Sequence, residues 1–232
     1  MKLIGLVGGI SWSSTILYYK YLNELSNSYL KDERYARVVL YSLEYSEVNK
    51  YVVQNNWEQV KNLCAEAAIK LQDVGADFIL LGSNTIHKVA SLVEKEISVP
   101  LLSIIDATAK EVAKNQFSTV GLLGTNYTMQ GNFFKDCLSA KYGINIKVPN
   151  KQDREFVHKL IYEKLVHNRI ENLPHSEIKS ITNRLIDDGV EAIILGCTEL
   201  SLLNCQSYCS SKIFDTTQIH AKSAVDFALE RI

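Results

Sequence analysis

Long apolar runs are missing from this chain of 232 residues. The longest wholly apolar stretches reach only four residues, as in Phe78 to Leu81, whereas a bilayer-spanning helix needs about 20. A block of like charge is missing as well, because 25 Lys and Arg against 26 Asp and Glu give a formal net charge of −1. We therefore expect no membrane partner and no nucleic acid partner.

An export signal is also missing from the sequence. The apolar run that follows Lys2 is too short for a signal peptide, and no cleavage site follows it. The five cysteines are an odd number, which disfavours a framework of disulfides. We therefore expect reduced thiols and a cytoplasmic location.

Short apolar runs alternate with amphipathic stretches of helical length, which predicts an α/β fold with mostly parallel sheets flanked by helices. Asn56 is expected to cap one helix, which ends at Gly75. Ser176 is expected to cap another, which ends at Gly189, and a more charged helix covers residues 151–167. The predicted strands cover residues 3–7, 37–41, 78–81, 101–104, 119–123, 145–148, 192–195 and 212–214.

An internal repeat is the most informative feature of the sequence. Residues 73–83 match residues 187–197 at a shift of 114, and residues 4–9 match residues 120–125 at a shift of 116. A third, shorter match begins at Ile105. Any one match could arise because α/β strands resemble one another, but three matches in order at nearly one spacing indicate two similar halves.

The repeat predicts two α/β domains. We place the first at residues 1–115 plus 209–232 and the second at residues 116–208, so that the chain returns to the first domain near Cys209. The last helix is then expected to pack on the first domain.

The two long matches end at Ser83 and at Cys197, each directly after a predicted strand. Because ligands of open parallel sheets bind beyond the carboxyl ends of strands, two such domains facing each other would place these residues across one cleft. The backbone N–H groups that follow, with the side chains of Asn84, Thr85 and Thr198, form a lining suited to a carboxylate. A hydroxyl opposite a thiol suits a reaction that moves a proton from one face of a carbon to the other.

The sequence contains no complete motif for a cofactor or a metal. The turn at Gly5, Gly8 and Gly9 lacks the third glycine of the dinucleotide fingerprint, and no phosphate loop is present. Cys205 and Cys209 are four residues apart, but no second pair or nearby histidine completes a metal site. We therefore expect neither a cofactor nor a metal ion.

Three further residues keep more than one interpretation. Trp12, beside the glycine turn, is either part of the core or a wall of the cleft. His87 follows the Ser83 loop and is either a structural residue or one that contacts a site residue without touching the substrate. His220 is expected on a helix surface or in a contact with a loop.

Five segments of the sequence carry a resemblance to a known family. They are Ile4-Gly5-Leu6-Val7-Gly8-Gly9-Ile10-Ser11-Trp12, Asn84-Thr85-Ile86-His87-Lys88, Leu122-Leu123-Gly124-Thr125, Gly196-Cys197-Thr198-Glu199 and Phe214-Asp215-Thr216. With these segments, nearly the whole chain resembles the aspartate/glutamate racemase family, specifically the bacterial amino-acid racemases of broad acidic specificity.

The resemblance implies a cofactor-independent homodimer whose subunits have two pseudo-twofold-related α/β domains and an active site in the cleft between them. In this family two opposed cysteines act as base and acid on the α-carbon of aspartate or glutamate. By position, Cys197 matches the second cysteine. Asn84, Thr85 and Thr198 match residues that hold the α-carboxylate, and Ile10 lies where the first loop meets the substrate.

Ser83 departs from the family pattern, because most members have their first cysteine at this position. A branch with threonine there is still regarded as active. A hydroxyl hardly loses its proton near pH 7, so we predict Cys197 as the base, with a thiolate favoured by the N–H groups that follow it. Ser83 is then a proton donor or a group that positions water. Glu199 and Thr125 are expected to support the site.

The leading hypothesis is therefore racemisation of an acidic amino acid without a cofactor. One alternative is a one-thiol reaction on a small carboxylic acid, such as decarboxylation or double-bond isomerisation, which the loss of the first cysteine motivates. The other is a catalytically weak homologue that binds an amino acid or regulates a partner. The sequence does not identify the residue that binds the side-chain carboxylate of the substrate, for which Lys164 is one candidate.

Overall fold

The structure, a computed structural model, describes residues 1–231 and has an α/β fold with eight parallel strands. The strands are β1 (Ile4–Gly8), β2 (Val38–Ser42), β3 (Phe78–Leu81), β4 (Leu101–Leu102), β5 (Thr119–Gly124), β6 (Asn145–Lys147), β7 (Ala192–Gly196) and β8 (Lys212–Asp215). All eight predicted strands are confirmed. The largest difference is at β4, which ends two residues early because Ile104 already begins a helix.

Ten α-helices lie between these strands in the described part of the chain. They are α1 (Trp12–Leu30), α2 (Tyr45–Val53), α3 (Trp57–Asp73), α4 (Ala90–Glu94), α5 (Ile104–Lys114), α6 (Asn126–Gln130), α7 (Asn132–Tyr142), α8 (Lys151–Glu163), α9 (His175–Asp187) and α10 (Thr216–Ala228). Short 3-10 segments cover Thr85–Val89, Leu165–His167, Thr198–Leu203 and Cys205–Ser207. Within residues 1–231 no helix is both long enough and apolar enough to cross a bilayer.

The predicted helix signals are confirmed at one helix and partly wrong at another. Asn56 caps α3, because its side chain accepts a hydrogen bond from the Gln59 backbone, and Gly75 follows with a φ of 92°. Helix α9 instead begins at His175, one residue before the predicted cap Ser176, and no side chain caps it. Gly189 takes a φ of 85° after this helix, as predicted.

The chain divides into two compact units, each with a four-stranded parallel sheet. The first unit contains Met1–Ile104 and the described residues from His220 onward, and its strand order is β2-β1-β3-β4. The second unit is Ile105–Ile219, and its strand order is β6-β5-β7-β8. The two sheets therefore repeat one topology, as the internal sequence repeat predicts.

The bounds of these units differ from the predicted bounds of 1–115 plus 209–232 and 116–208. Helix α5 belongs mostly to the second unit, and β8 pairs with β7 in the second sheet. The chain therefore leaves the second unit within α10, about ten residues after Cys209. The prediction missed this because the short strand β8 lies between Cys209 and the last helix.

The core of the first unit joins its sheet to two helices that are distant in sequence. Ile4 and Phe78 from the central strands pack with Tyr18 and Leu22 from α1. Helix α10 adds four small or branched side chains to the same cluster, which are Ala221, Ala224, Val225 and Ala228. Helix α10 thus buries its apolar face in the first unit, although the helix begins in the second.

Equivalent glycines in the central strand of each unit leave room for side chains of the neighbouring strand and of the turn before that strand. A Cβ atom at Gly5 in β1 would come within 2.9 Å of the side chains of Ile79 and Ala76. A Cβ atom at Gly121 in β5 would lie 2.8 Å from the side chain of Ile193 and 3.2 Å from that of Val190. Either substitution would force its neighbours to move, so the repeat extends to the packing of the sheets.

Candidate active site

The loop after β1 is held in one conformation by short-range hydrogen bonds. Gly9 has a φ of 80°, and a Cβ atom there would overlap the backbone of Leu43, so only glycine fits. The Thr15 hydroxyl accepts a hydrogen bond from Gly9 N at 2.9 Å and donates one to Ser11 O at 2.9 Å. Ser11 in turn caps α1. The loop that carries Ile10 is therefore fixed at both ends.

Trp12 begins α1 and is 53% exposed, so its interpretation as a core residue is wrong. Ile10, two residues earlier, is partly buried. Both residues lie just beyond the carboxyl end of β1, where ligands of parallel sheets bind. Their predicted contact with substrate stays a prediction.

The loop after β3 lies at the same edge of the first sheet as the loop after β1. Strands β1 and β3 are parallel neighbours, and Gly82 N donates to Val7 O at 2.9 Å. The Ser14 hydroxyl donates to Gly82 O at 3.0 Å, which links the start of α1 to the residue before Ser83. The structure therefore brings Ser83, Asn84 and Thr85 to the edge that also carries Ile10. Ser83 is partly buried, whereas the other two side chains are buried.

His87 lies behind Ser83 in the 3-10 segment that follows β3. Its Nδ1 is 2.7 Å from the backbone oxygen of Ser83, and its Nε2 accepts a hydrogen bond from Ile104 N at 3.1 Å. The ring is buried. His87 therefore contacts the backbone of the candidate catalytic residue rather than its side chain.

The second unit presents an equivalent edge at β5 and β7. Gly124 and Gly196 are paired in adjacent strands, and a Cβ atom at Gly124 would lie 2.8 Å from Gly196 O. Thr125 follows β5 and caps α6, because its side chain accepts a hydrogen bond from Thr128 N. The structure therefore places Thr125 next to the strand end that leads into Cys197.

Cys197 follows β7 and is buried, with 7% of its surface exposed. Its thiol donates a hydrogen bond to Oε2 of Glu199 at 2.9 Å. The hydroxyl of Thr198 donates to the same oxygen, also at 2.9 Å. Glu199 is itself buried, so one carboxylate oxygen holds a thiol and a hydroxyl in a site largely shielded from water.

The Cys197 thiol is strongly protected against ionisation in this environment. Burial raises its pKa well above the usual range, and the Glu199 carboxylate raises it further by its charge and by accepting the thiol hydrogen. Hydrogen bonds from the backbone N–H groups of Glu199 and Leu200 lower the pKa, but they do not outweigh the other causes. In the resting protein Cys197 is therefore a thiol, and its predicted action as a thiolate base stays a prediction that requires a proton acceptor.

The same hydrogen bond gives the thiol a route to ionisation. Transfer of its proton to Glu199 Oε2, 2.9 Å away, would leave a thiolate that accepts two backbone N–H groups. Sequence reasoning assigned Glu199 only a supporting position, because spacing alone does not show that the carboxylate points back at residue 197. Thr198 likewise uses its hydroxyl hydrogen on Glu199, so only its backbone N–H keeps a predicted part in carboxylate binding.

One of the two expectations for His220, a position on a helix surface, is wrong. It is fully buried in the first unit, where its ring contacts Tyr18 and Leu102 rather than a helix surface. A signal was present in the sequence, because His220 stands four residues before Ala224, on the apolar face of α10. A histidine at that spacing is expected to be buried.

The two cysteines considered for a metal site have partners within the second unit. Cys205 lies 3.2 Å from the Tyr208 hydroxyl, and Cys209 lies 3.4 Å from the Thr182 hydroxyl. Among residues 1–231 no three His, Cys, Asp or Glu side chains are grouped so that they could hold a metal ion.

Lys164, the candidate for binding a side-chain carboxylate, reaches Asn172 O at 3.5 Å.

Comparisons with known proteins agree with this architecture. Residues 7–224 match the family model described as Asp/Glu/hydantoin racemase. Among characterised proteins, the chain is 27% identical over 175 residues to the broad specificity amino-acid racemase RacX of Bacillus subtilis (strain 168), covering 72% of each chain.

Solved structures give closer matches over the full length. The chain is 39% identical to a proposed Asp/Glu racemase from Yersinia pestis, with 99% of this chain and 100% of that chain covered and a TM-score of 0.90. It is 34% identical to an aspartate racemase homologue from Pyrococcus horikoshii OT3, with the same coverage and a TM-score of 0.86. Because the family model spans almost the whole sequence and both sheets match, the chain belongs to the Asp/Glu/hydantoin racemase family.

Proposed function

We propose that this protein racemises an acidic amino acid, aspartate or glutamate, without a cofactor. Membership of the racemase family supports amino-acid racemisation as the reaction class. The observation that carries the proposal is the hydrogen bond from the Cys197 thiol to Glu199, because it supplies a base that a buried cysteine alone lacks.

The first step of the proposed reaction is the activation of Cys197. The thiol proton moves to Glu199 Oε2, and the thiolate is stabilised by the N–H groups of Glu199 and Leu200. The thiolate then removes the α-proton of the amino acid and becomes a thiol again, while the electron pair stays on the α-carbon and its carboxylate. The proton count balances, because each proton passes to a named group.

The second step returns a proton to the opposite face of the α-carbon. We assign this step to Ser83, either by its hydroxyl or by a water molecule that it positions. The alkoxide or hydroxide left behind takes up a proton from bulk water, and Glu199 releases to water the proton that it took from Cys197, so the protein returns to its resting protonation state. A hydroxyl donates a proton to a carbanion readily but is a poor base near pH 7, so the reverse direction is expected to be slower. The turnover at saturation thus differs between the two directions, whereas kcat/KM is the same in both because the two enantiomers have equal free energy.

The α-carboxylate of the substrate is proposed to bind beyond the strand ends. Asn84 directly precedes the 3-10 segment after β3, Thr85 begins it, and Thr198 begins the 3-10 segment after β7. Backbone N–H groups at the start of such segments suit an anion. Because the Thr198 hydroxyl already donates to Glu199, its share of the binding is assigned to its backbone N–H.

The test is proton NMR in deuterium oxide with L- and D-aspartate and L- and D-glutamate, without any added cofactor. Racemisation predicts loss of the α-proton signal from both enantiomers and the appearance of the opposite configuration. Exchange that keeps one configuration would instead support a one-thiol reaction. Tight binding by calorimetry without any exchange would support an amino-acid-binding homologue.

A matched control is available within the second unit. Cys137 is also a thiol that donates to a carboxylate, with 3.3 Å between its sulfur and Asp106 Oδ1, and its pKa is raised to about 11. Cys137→Ala is expected to keep the wild-type rate, whereas Cys197→Ala removes it. Equal losses in both variants would contradict the assignment of Cys197.

Homodimer formation, which the family resemblance implies, would be measured on the same samples by sedimentation.

A further inference from the structure

Behind Ser83 the first unit contains two buried histidines whose rings contact each other edge to face. The ring centroids of His87 and His220 are 5.9 Å apart at an interplanar angle of 76°. Each ring has a backbone partner, and His220 also has a tyrosine partner. These partners decide where each ring carries its proton.

The backbone partners fix the proton of a neutral His87 ring on Nδ1. Ile104 N is an amide nitrogen and can only donate, so Nε2 of His87 is the acceptor of the 3.1 Å bond. In a neutral imidazole the other nitrogen then carries the hydrogen. His87 Nδ1 therefore donates to the backbone oxygen of Ser83 at 2.7 Å.

His220 has the opposite tautomer for the same reason. The backbone oxygen of Leu102 can only accept, so Nε2 of His220 donates to it at 2.9 Å. Nδ1 then accepts a hydrogen bond from the Tyr18 hydroxyl at 2.8 Å. Burial and, to a lesser degree, the charge of a protonated His87 lower the pKa of His220 to about 3, so this ring stays neutral near pH 7.

The two rings connect the Ser83 loop to residues of four other elements, and all of these residues lie in the first unit. His87 reaches the start of α5, while His220 in α10 reaches the end of β4 and, through Tyr18, helix α1. Tyr18 and His220 are fully buried, and His87 is 5% exposed. Because these polar groups are shielded from water, breaking any bond leaves a buried group unsatisfied, which makes the arrangement stiff.

We propose that His87 is a positioning residue for Ser83, and that its Nδ1–H bond to the Ser83 backbone oxygen sets where the Ser83 hydroxyl acts. This inference rests on the proposed racemisation. Ser83 lies between the end of β3 and the 3-10 segment that begins at Thr85, and neither neighbouring strand of the sheet pairs with it. A displacement of about 1 Å at a reacting group can cost about 100-fold in rate.

Two substitutions of His87 test the two hydrogen bonds of its ring one at a time. In His87→Asn the amide nitrogen lies near the position of Nδ1, so the bond to Ser83 O is kept and the Nε2 acceptor is lost. In His87→Gln the amide lies near the position of Nε2, so an acceptor for Ile104 N is kept and the bond to Ser83 O is lost. The exposed His167 in the other unit supplies a control as His167→Gln.

The decisive readout is the difference between the two enantiomers in deuterium exchange. His87→Gln is expected to lower kcat at least tenfold for the enantiomer that depends on Ser83, with little change for the enantiomer deprotonated by Cys197. His87→Asn is expected to retain most of the wild-type rate for both. A loss shared equally by both enantiomers, or a larger loss in His87→Asn than in His87→Gln, would overturn the proposal.

A second measurement on the unmodified protein decides the proposal if a variant does not fold. Long-range proton–nitrogen NMR of the histidine rings is expected to show His87 protonated on Nδ1 and His220 protonated on Nε2. A His87 ring protonated on Nε2 would overturn the inference, whatever the enzyme activity. If the protein shows the expected tautomers but no racemisation with any substrate, the proposed function fails while the position of His87 stands.

Discussion

The ends of β3 and β7 occupy the same place in two sheets of identical strand order, yet they hold their candidate catalytic residues differently. After β7 the side chain of Cys197 is held by the Glu199 carboxylate. After β3 the backbone of Ser83 is held by His87, and its hydroxyl has no carboxylate two residues later, where Thr85 stands. The repeated fold therefore preserved the position of the two residues, while their chemical support diverged.

This difference predicts that the residues at the two strand ends have unequal roles in proton transfer. A thiol with an adjacent carboxylate can both take and give a proton, whereas a hydroxyl near neutral pH gives a proton much more readily than it takes one. Each of the following predictions tests whether that division holds.

The largest effect is expected from Cys197→Ala. Loss of the thiol that donates to the buried Glu199 carboxylate should lower α-proton exchange from both enantiomers about 1,000-fold or more. Cys197→Ser should be nearly as inactive, because burial would keep its hydroxyl protonated. The measurement is deuterium incorporation by NMR, and an active Cys197→Ser variant would show that the thiol is not the base.

The next largest effect is expected from Glu199→Gln. The amide cannot take the thiol proton, and burial, the largest cause of the raised Cys197 pKa, remains, so exchange at pH 7 should fall about 100-fold. Removing the carboxylate charge also lowers the Cys197 pKa, so the deficit should shrink as pH rises toward 10. Rates measured from pH 6 to pH 10 check this, and an equal deficit at every pH would mean that Glu199 only orients the thiol.

Ser83→Cys should make the two strand ends more alike. A second thiol can act as a base on the second face, so turnover of the slow enantiomer should rise about tenfold or more, equivalent to about 1.4 kcal/mol of barrier. Ser83→Ala should depress racemisation and leave exchange of the favoured enantiomer in place. Unchanged rates in both variants would remove Ser83 from the mechanism.

The smallest effect concerns stability rather than activity. His220 has a folded pKa of about 3, well below its ordinary value, so only the unfolded chain takes up its proton as pH falls below about 6.5. This residue should therefore lower the free energy of unfolding by about 1 kcal/mol between pH 6.5 and 5.5. His220→Gln keeps a donor for Leu102 O and should lose that share of the pH dependence in urea titrations. An identical pH dependence in both proteins would show that His220 does not titrate on unfolding.

The sequence alone was sufficient for the sheets, because each strand is a short apolar run bounded by turn residues. Phe78–Leu81 is an example whose bounds agree in every residue. The repeat also located the two strand ends where Ser83 and Cys197 stand. Patterns of apolar residues and glycines determine these features, and both are visible in a linear sequence.

The contacts that decide the chemistry were not visible in the same way. The approach of Glu199 to Cys197 depends on the turn of a 3-10 segment, which the spacing of two residues does not specify. The partners of His220 come from α1 and β4, which are more than 100 residues away in the sequence. A single sequence contains no signal for such long-range pairs of polar groups.

The first unit consists of two segments that are far apart in the sequence, which has a consequence for biosynthesis. Its core needs Ala221, Ala224 and Val225 from α10, which the ribosome makes only after all 115 residues of Ile105–Ile219. The second unit is continuous in sequence, so it can fold while the first still lacks one face of its core. During that interval the buried positions around Tyr18 and Phe78 are open to water and to other nascent chains. We therefore expect the first unit to complete its core only after the whole second unit has been synthesised.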